Sequence, residues 1–118
     1  MKFGLAAPAD VAGKNGKEIL RAIIDGRLPQ APISQAMSFW ITEVGDGFAA
    51  FEGDPGPHLL NPMGSVHGGW ALTLIDSVGG CAGHSCFRRD RAMRQSRPRR
   101  ISPGGSARIR AGFAPRPA

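Results

Sequence analysis

Apolar positions along the first half of the chain change period twice, and each change marks an element. Between Lys14 and Gly26 the apolar residues Ile19, Leu20, Ile23 and Ile24 recur at helical spacing and stop at Gly26, which predicts a short amphipathic helix. Met37 to Val44 and Phe48 to Glu52 are strand-like and flank Gly45-Asp46-Gly47, a turn-rich triplet that predicts a β-hairpin. The loop Gly53-Asp54-Pro55-Gly56-Pro57 then ends the second strand. Lys14, Gly16 and Lys17 do not make a phosphate-binding loop, because no strand precedes them and the pattern is incomplete. They read as surface residues.

The next stretch carries the candidate chemistry. Ser65 is placed to cap a helix whose first turn holds Val66, His67, Gly68 and Gly69. Unpaired N–H groups of a first helical turn attract negative charge. Two adjacent glycines cost roughly 1 kcal/mol each inside a helix relative to Ala, so something is expected to approach this backbone closely, and a substrate carbonyl is one such group. From Val66 to Ser85 the only formally charged residue is Asp76, set among Trp70, Ala71, Leu72, Leu74, Ile75, Val78, Cys81 and Ala82. That composition predicts a helix buried nearly all round, with one buried carboxylate. Asp76 could serve a site, pair with a distant Arg or cap a neighbouring element.

The pattern Asn61-x-x-Gly64-x-x-His67-Gly68-Gly69, followed after Trp70 to Ile75 by Asp76, resembles the PaaI-type acyl-CoA thioesterases of the hotdog fold. The resemblance extends to Pro32-Ile33-Ser34-Gln35, Val44-Gly45-Asp46-Gly47, Phe51-Glu52-Gly53 and Gly80-Cys81-Ala82-Gly83-His84-Ser85, and covers roughly Ala31 to Cys86, just under half the chain. It implies an α+β hotdog fold, a long helix against an antiparallel sheet. It implies Asp76 as general base or nucleophile, the Gly68 N–H polarising the thioester carbonyl, Gly69 in the substrate site, and Asn61 and His67 around the attacking water. No metal or redox cofactor is implied, coenzyme A being part of the substrate. Gly69 and Asp76 lie seven residues apart, on one helix face but about 10 Å apart along the axis. Two antiparallel copies of the helix would bring Asp76 of one beside the Gly68 end of the other, so a homodimer or homotetramer is expected.

Other landmarks add little chemistry. Trp40 and Trp70 read as packing residues, His58 as a loop residue that could touch substrate, and His84 as favourable near a helix C-terminus. Cys81 and Cys86 have no nearby Cys/His set, which argues against zinc. No signal-peptide pattern and no spanning apolar run occur, so the expected location is cytoplasmic with no membrane partner.

Charge divides the chain sharply. Residues 1–87 carry five Lys/Arg against eight Asp/Glu, whereas 88–118 carry ten Arg, no Lys and one Asp, and the two parts account for the net charge of +6. By composition 88–118 is a disordered Arg/Pro-rich tail that could bind nucleic acid or an anionic surface. The genetic code supports a different origin. Arginine without lysine is what GC-rich DNA yields out of frame. Codons formed from the last base of one triplet and the first two of the next, starting at Cys86, permit L-P-A-G-x-G-Y-A-T-I-E-T-K-A-N-F-T-R and, up to Ala118, G-L-G-T-D-T-G-G-L-R-A-E-A-R. This text has strand-like alternation, balanced charge and a likeness to the segment after the long helix in the thioesterases. Residues 1–87 are therefore read as the N-terminal part of a hotdog domain, incomplete because the frame shifts near Cys86. Acyl-CoA is the expected partner and nucleic acid is not.

Overall fold

The computed structural model describes residues 1–88. The tail expectation for 88–118 therefore lies, but for Arg88, outside the described residues. The described part is α+β: helices α1 (Pro8–Val11), α2 (Gly16–Ile24) and α3 (Pro32–Met37), strands β1 (Phe39–Gly45) and β2 (Phe48–Gly53), a 3-10 turn at Pro57–Leu59, and the long helix α4 (Gly68–His84).

Helix α2 forms where its periodicity places it, because both ends are chemically marked. Asn15 accepts from the Glu18 N–H at 2.8 Å while Glu18 reaches back to the Asn15 backbone, a reciprocal capping box. Gly26, at φ +79, follows the end of the helix. Leu20 and Ala22 are buried, and α2 packs mainly on β1. Helix α3 was not legible as a helix. Pro32 opens it, and Ser38 closes it in the left-handed region at φ 53. The first strand consequently starts at Phe39 rather than Met37, since Met37 is spent in the last turn of α3.

The two strands form an antiparallel hairpin with Trp40 opposite Glu52 and Val44 opposite Ala49. Gly45 still belongs to β1, and only Asp46 and Gly47 make the turn, with Gly47 at φ +71. A bulge between Ile41 and Glu43 leaves Thr42 over, and its hydroxyl donates to the Ala50 carbonyl. Leu20, Ile41, Ala49 and Ala82 make the core, with Ile23, Ile24, Val44, Phe51 and Cys81 packed around them. Phe39 is fully buried and meets Phe51 edge to face at 5.8 Å.

Helix α4 lies mainly across β2, and both ends are anchored. Near its start, Trp70 Nε1 donates to the Met37 carbonyl at 2.6 Å. At its end, Ser85 Oγ accepts from the Gly47 N–H at 2.8 Å and donates to the Ala82 carbonyl. The expectation of a helix buried nearly all round is corrected. Only Ala82 of α4 is fully buried, and Leu72 is 64% exposed, because a two-stranded sheet covers one side of the helix.

The Trp70 anchor predicts a sensitive glycine. A Cβ on Gly53 would sit 2.5 Å from Trp70 Cζ2 and 3.2 Å from Phe39 Cβ, neither of which is a flexible side-chain end. Gly53→Ala is expected to cost about 1–3 kcal/mol as overpacking, read as a lower denaturant midpoint at unchanged slope.

Candidate active site

The site is built around the entry to α4. Asn61 Oδ1 accepts from the backbone N–H groups of Met63 (3.0 Å) and Ser65 (3.1 Å), and Gly64 turns the chain at φ +83. This side-chain turn brings Leu60 and Val66 opposite each other as an antiparallel bridge. His67 N–H then donates to the Leu59 carbonyl at 2.8 Å, fixing where the helix begins. The expected Ser65 cap is corrected: the cap is His67, whose Nδ1 accepts from the Gly69 N–H at 2.8 Å. The Ser65 carbonyl accepts from the Asn61 N–H at 2.8 Å and the Gly69 N–H goes to His67 Nδ1, so Val66 and His67 remain outside the helix.

This cap determines what the first turn offers. Gly69 N–H is used by His67 Nδ1, and Trp70 N–H donates to the His67 carbonyl at 3.0 Å. The Gly68 N–H has no partner among the described residues. Because Nδ1 of His67 is an acceptor, its neutral ring carries the proton on Nε2 and acts there as a donor. Asn61 is a positioning residue through Oδ1, with its amide Nδ2 still able to donate.

Beside this turn is a cavity of about 380 Å³ lined by Met37, His58, Leu59, Leu60, His67, Gly69, Trp70 and Thr73. It is apolar on the Met37, Leu59, Leu60 and Trp70 side and polar at the two histidines. Trp70 thus packs against the hairpin and also forms cavity wall. Thr73 donates to the Gly69 carbonyl at 2.7 Å, and His58 Nε2 lies 3.4 Å from Ser38 Oγ. Met37, Leu59, Leu60 and Thr73 were not singled out from sequence. Their apolar or small side chains give no chemical signal until the fold gathers them.

Asp76 is placed apart from this group. It is exposed, does not line the cavity, and makes no hydrogen bond or ion pair among the described residues. The expected buried carboxylate is therefore corrected for the single chain, on the same ground as the helix that carries it. One chain brings together Asn61, His67, Gly68 and Gly69 and leaves Asp76 on the open face of α4.

No group of three His, Cys, Asp or Glu is arranged to hold a metal ion among the described residues, and no described helix is long and apolar enough to cross a membrane. Cys81 is packed against the core, and burial pushes its thiol from 9.0 up to about 11. The native state then keeps a proton that the unfolded chain releases. Stability should hold below pH 9 and fall as pH rises toward 11, by at most about 1.4 kcal/mol per pH unit. Cys81→Ala should flatten that fall relative to wild type, measured by urea unfolding at about pH 8 and about pH 10.

No family model matches the chain, and comparison with curated proteins and with solved structures finds no match.

Proposed function

We propose that residues 1–87 are the N-terminal part of a hotdog-fold thioester hydrolase of the PaaI type, acting on acyl-CoA as a homodimer or a higher symmetric assembly. The observation that carries this reading is the unpartnered Gly68 N–H, held between the cavity-lining residues His67 and Gly69 at the positive end of α4. A backbone donor fixed in that way, beside an apolar cavity, suits a carbonyl oxygen that gains negative charge as a thioester is attacked. The acyl group occupies the cavity. Water adds to the carbonyl carbon, the C–S bond breaks, and the products are the free acid and the coenzyme A thiol.

Asp76 supplies the base, or the nucleophile in a two-step version, from the second subunit. Its exposure on α4, together with exposed Gly68, Leu72 and Gly80 at four-residue intervals, supports an antiparallel helix pair in which one copy's Asp76 faces the other's Gly68. His67 donates from Nε2 toward the site, and Asn61 holds the loop while its amide remains available to the water. No metal or redox group is needed for this chemistry.

The test has a genetic and a catalytic part. Resequencing around codon 86 should reveal a one-base indel or its two-base equivalent. The frame-restored protein should hydrolyse acyl-CoA thioesters, while the 118-residue chain as written should aggregate and show little turnover. Independent reads confirming the present frame, with a well-dispersed and cooperatively melting monomer, would remove the frame argument. A restored, folded protein inert toward a broad acyl-CoA panel would remove the thioesterase reading.

A further inference from the structure

Trp70 is held from two sides. Its indole N–H donates to the Met37 carbonyl at 2.6 Å, and its ring lies so close to Gly53 that not even a methyl group fits between them. The acceptor is fixed as well. Ser38, the next residue, donates its N–H to the Ser34 carbonyl, and its own carbonyl accepts from the Asp54 N–H at 2.8 Å. A swing of the ring would leave the indole N–H and the Met37 carbonyl without each other in a half-buried place, which is costly. The same ring lines the cavity, and behind it stand Gly53 and the fully buried Phe39. It therefore closes the space between the first turn of α4 and the hairpin.

The chemistry of that side is uniform. Met37, Leu59, Leu60 and Trp70 present hydrocarbon, and the one polar hydrogen among their side chains, on the indole, is already spent. Thr73 has its hydroxyl hydrogen on the Gly69 carbonyl, and no residue lining the cavity is Asp, Glu, Lys or Arg. A carboxylate brought against the apolar side would find no counter-charge there, and burying it unpaired is strongly unfavourable. A hydrocarbon chain meets no such penalty and gains about fourfold in affinity for each methylene it buries.

We infer that Trp70 is the specificity-determining residue of the cavity, a fixed aromatic wall that selects uncharged hydrocarbon acyl groups and sets how long they can be. The inference rests on the thioester-hydrolase reading, since it takes the cavity as the seat of the acyl group. A residue that only packed the hairpin would change stability when replaced and leave the acyl preference where it was.

Every residue of the cavity comes from one chain, so binding is measured on the full 118-residue chain, immobilised at low density to keep copies apart. The probes are the straight-chain series from butanoyl-CoA to dodecanoyl-CoA. For wild type, affinity should rise about fourfold per methylene and then level off. Trp70→Leu should move that limit to acyl chains longer by about two carbons or more, and Trp70→Phe, which keeps a ring against Gly53, should move it less in the same direction. Adipoyl-CoA, with a carboxylate at its far end, should bind at least about tenfold more weakly than hexanoyl-CoA. The frame-restored protein should show the same displacement in kcat/KM across the series. A limit that stays in place in both variants while short acyl-CoA still binds would overturn the inference and leave the hydrolase reading standing. Equal binding of adipoyl-CoA and hexanoyl-CoA would overturn it too. Should Trp70→Leu fail to fold, an unchanged limit in Trp70→Phe alone would decide against it. Absence of binding and hydrolysis at every length in wild type would remove the hydrolase reading, and this inference with it.

Discussion

Asp76→Asn in the frame-restored protein is expected to lower acyl-CoA turnover by about 10² or more while leaving acyl-CoA binding and dimerisation in place. The substitution keeps the shape of the side chain and removes the oxygen proposed to take the proton or attack the carbonyl. Because Asp76 is exposed on α4 and holds no hydrogen bond or ion pair among the described residues, the single chain has no structural reason to notice the change. Loss of activity can then be assigned to chemistry, provided hydrolysis is measured alongside a binding titration and the oligomeric state. A mutant with near wild-type turnover would make Asp76 a surface residue and end its assignment to the site. A mutant that loses the dimer together with activity would show that the carboxylate holds the interface, which also contradicts the expectation.

The second large effect concerns Gly16, far from the site. Its N–H donates to the Phe87 carbonyl at 3.1 Å, joining the start of α2 to the end of α4, and a Cβ there would overlap the His84 carbonyl oxygen. The obstacle is backbone at the end of a helix whose next residues are already tied to the hairpin turn through Ser85. Neither side can move cheaply. Gly16→Ala should therefore cost more than about 3 kcal/mol, among the larger losses known for a single substitution, and could unfold a domain this small outright. The control is Gly79→Ala within α4, where nothing lies within 4 Å of the added methyl. Helix propensity predicts a gain there of up to about 1 kcal/mol. Denaturant unfolding of both variants in the frame-restored chain compares them. Equal midpoints would mean that the α2–α4 junction gives way and does not fasten the fold.

Local signals in the sequence were sufficient for elements whose chemistry is local. The capping pair Asn15 and Glu18, the apolar spacing of α2 and the stop at Gly26 all act within a few residues of chain. So do the hairpin strands and the turn at Asp46-Gly47. The grouping of Asn61, His67, Gly68 and Gly69 was legible for the same reason: nine residues of chain cannot carry them far apart, and the side-chain turn of Asn61 draws them closer. What sequence could not decide were competitions between nearby groups and contacts between distant ones. Whether Ser65 or His67 caps α4 depended on which acceptors were left for the first turn: the Ser65 carbonyl accepts from the Asn61 N–H, and the Gly69 N–H goes to His67 Nδ1. Whether Met37 began a strand or ended a helix depended on Pro32 opening a turn and Ser38 accepting a left-handed backbone.

Exposure was beyond the reach of composition altogether. An apolar helix reads as buried, but burial is a property of what covers it, and here two strands cover one side. The cavity has the same origin, since Met37, Leu59, Leu60 and Trp70 carry no shared motif and meet only because α3, the 3-10 turn and α4 converge. The sequence alone therefore pointed to the residues proposed to carry the chemistry and to the shifted reading near Cys86. Tertiary structure decided which N–H of the first turn stays open among the described residues and that Asp76 lies away from it in one chain. Each of these depends on hydrogen bonds and packing between segments that are distant along the chain, and a linear pattern does not encode the distances between them.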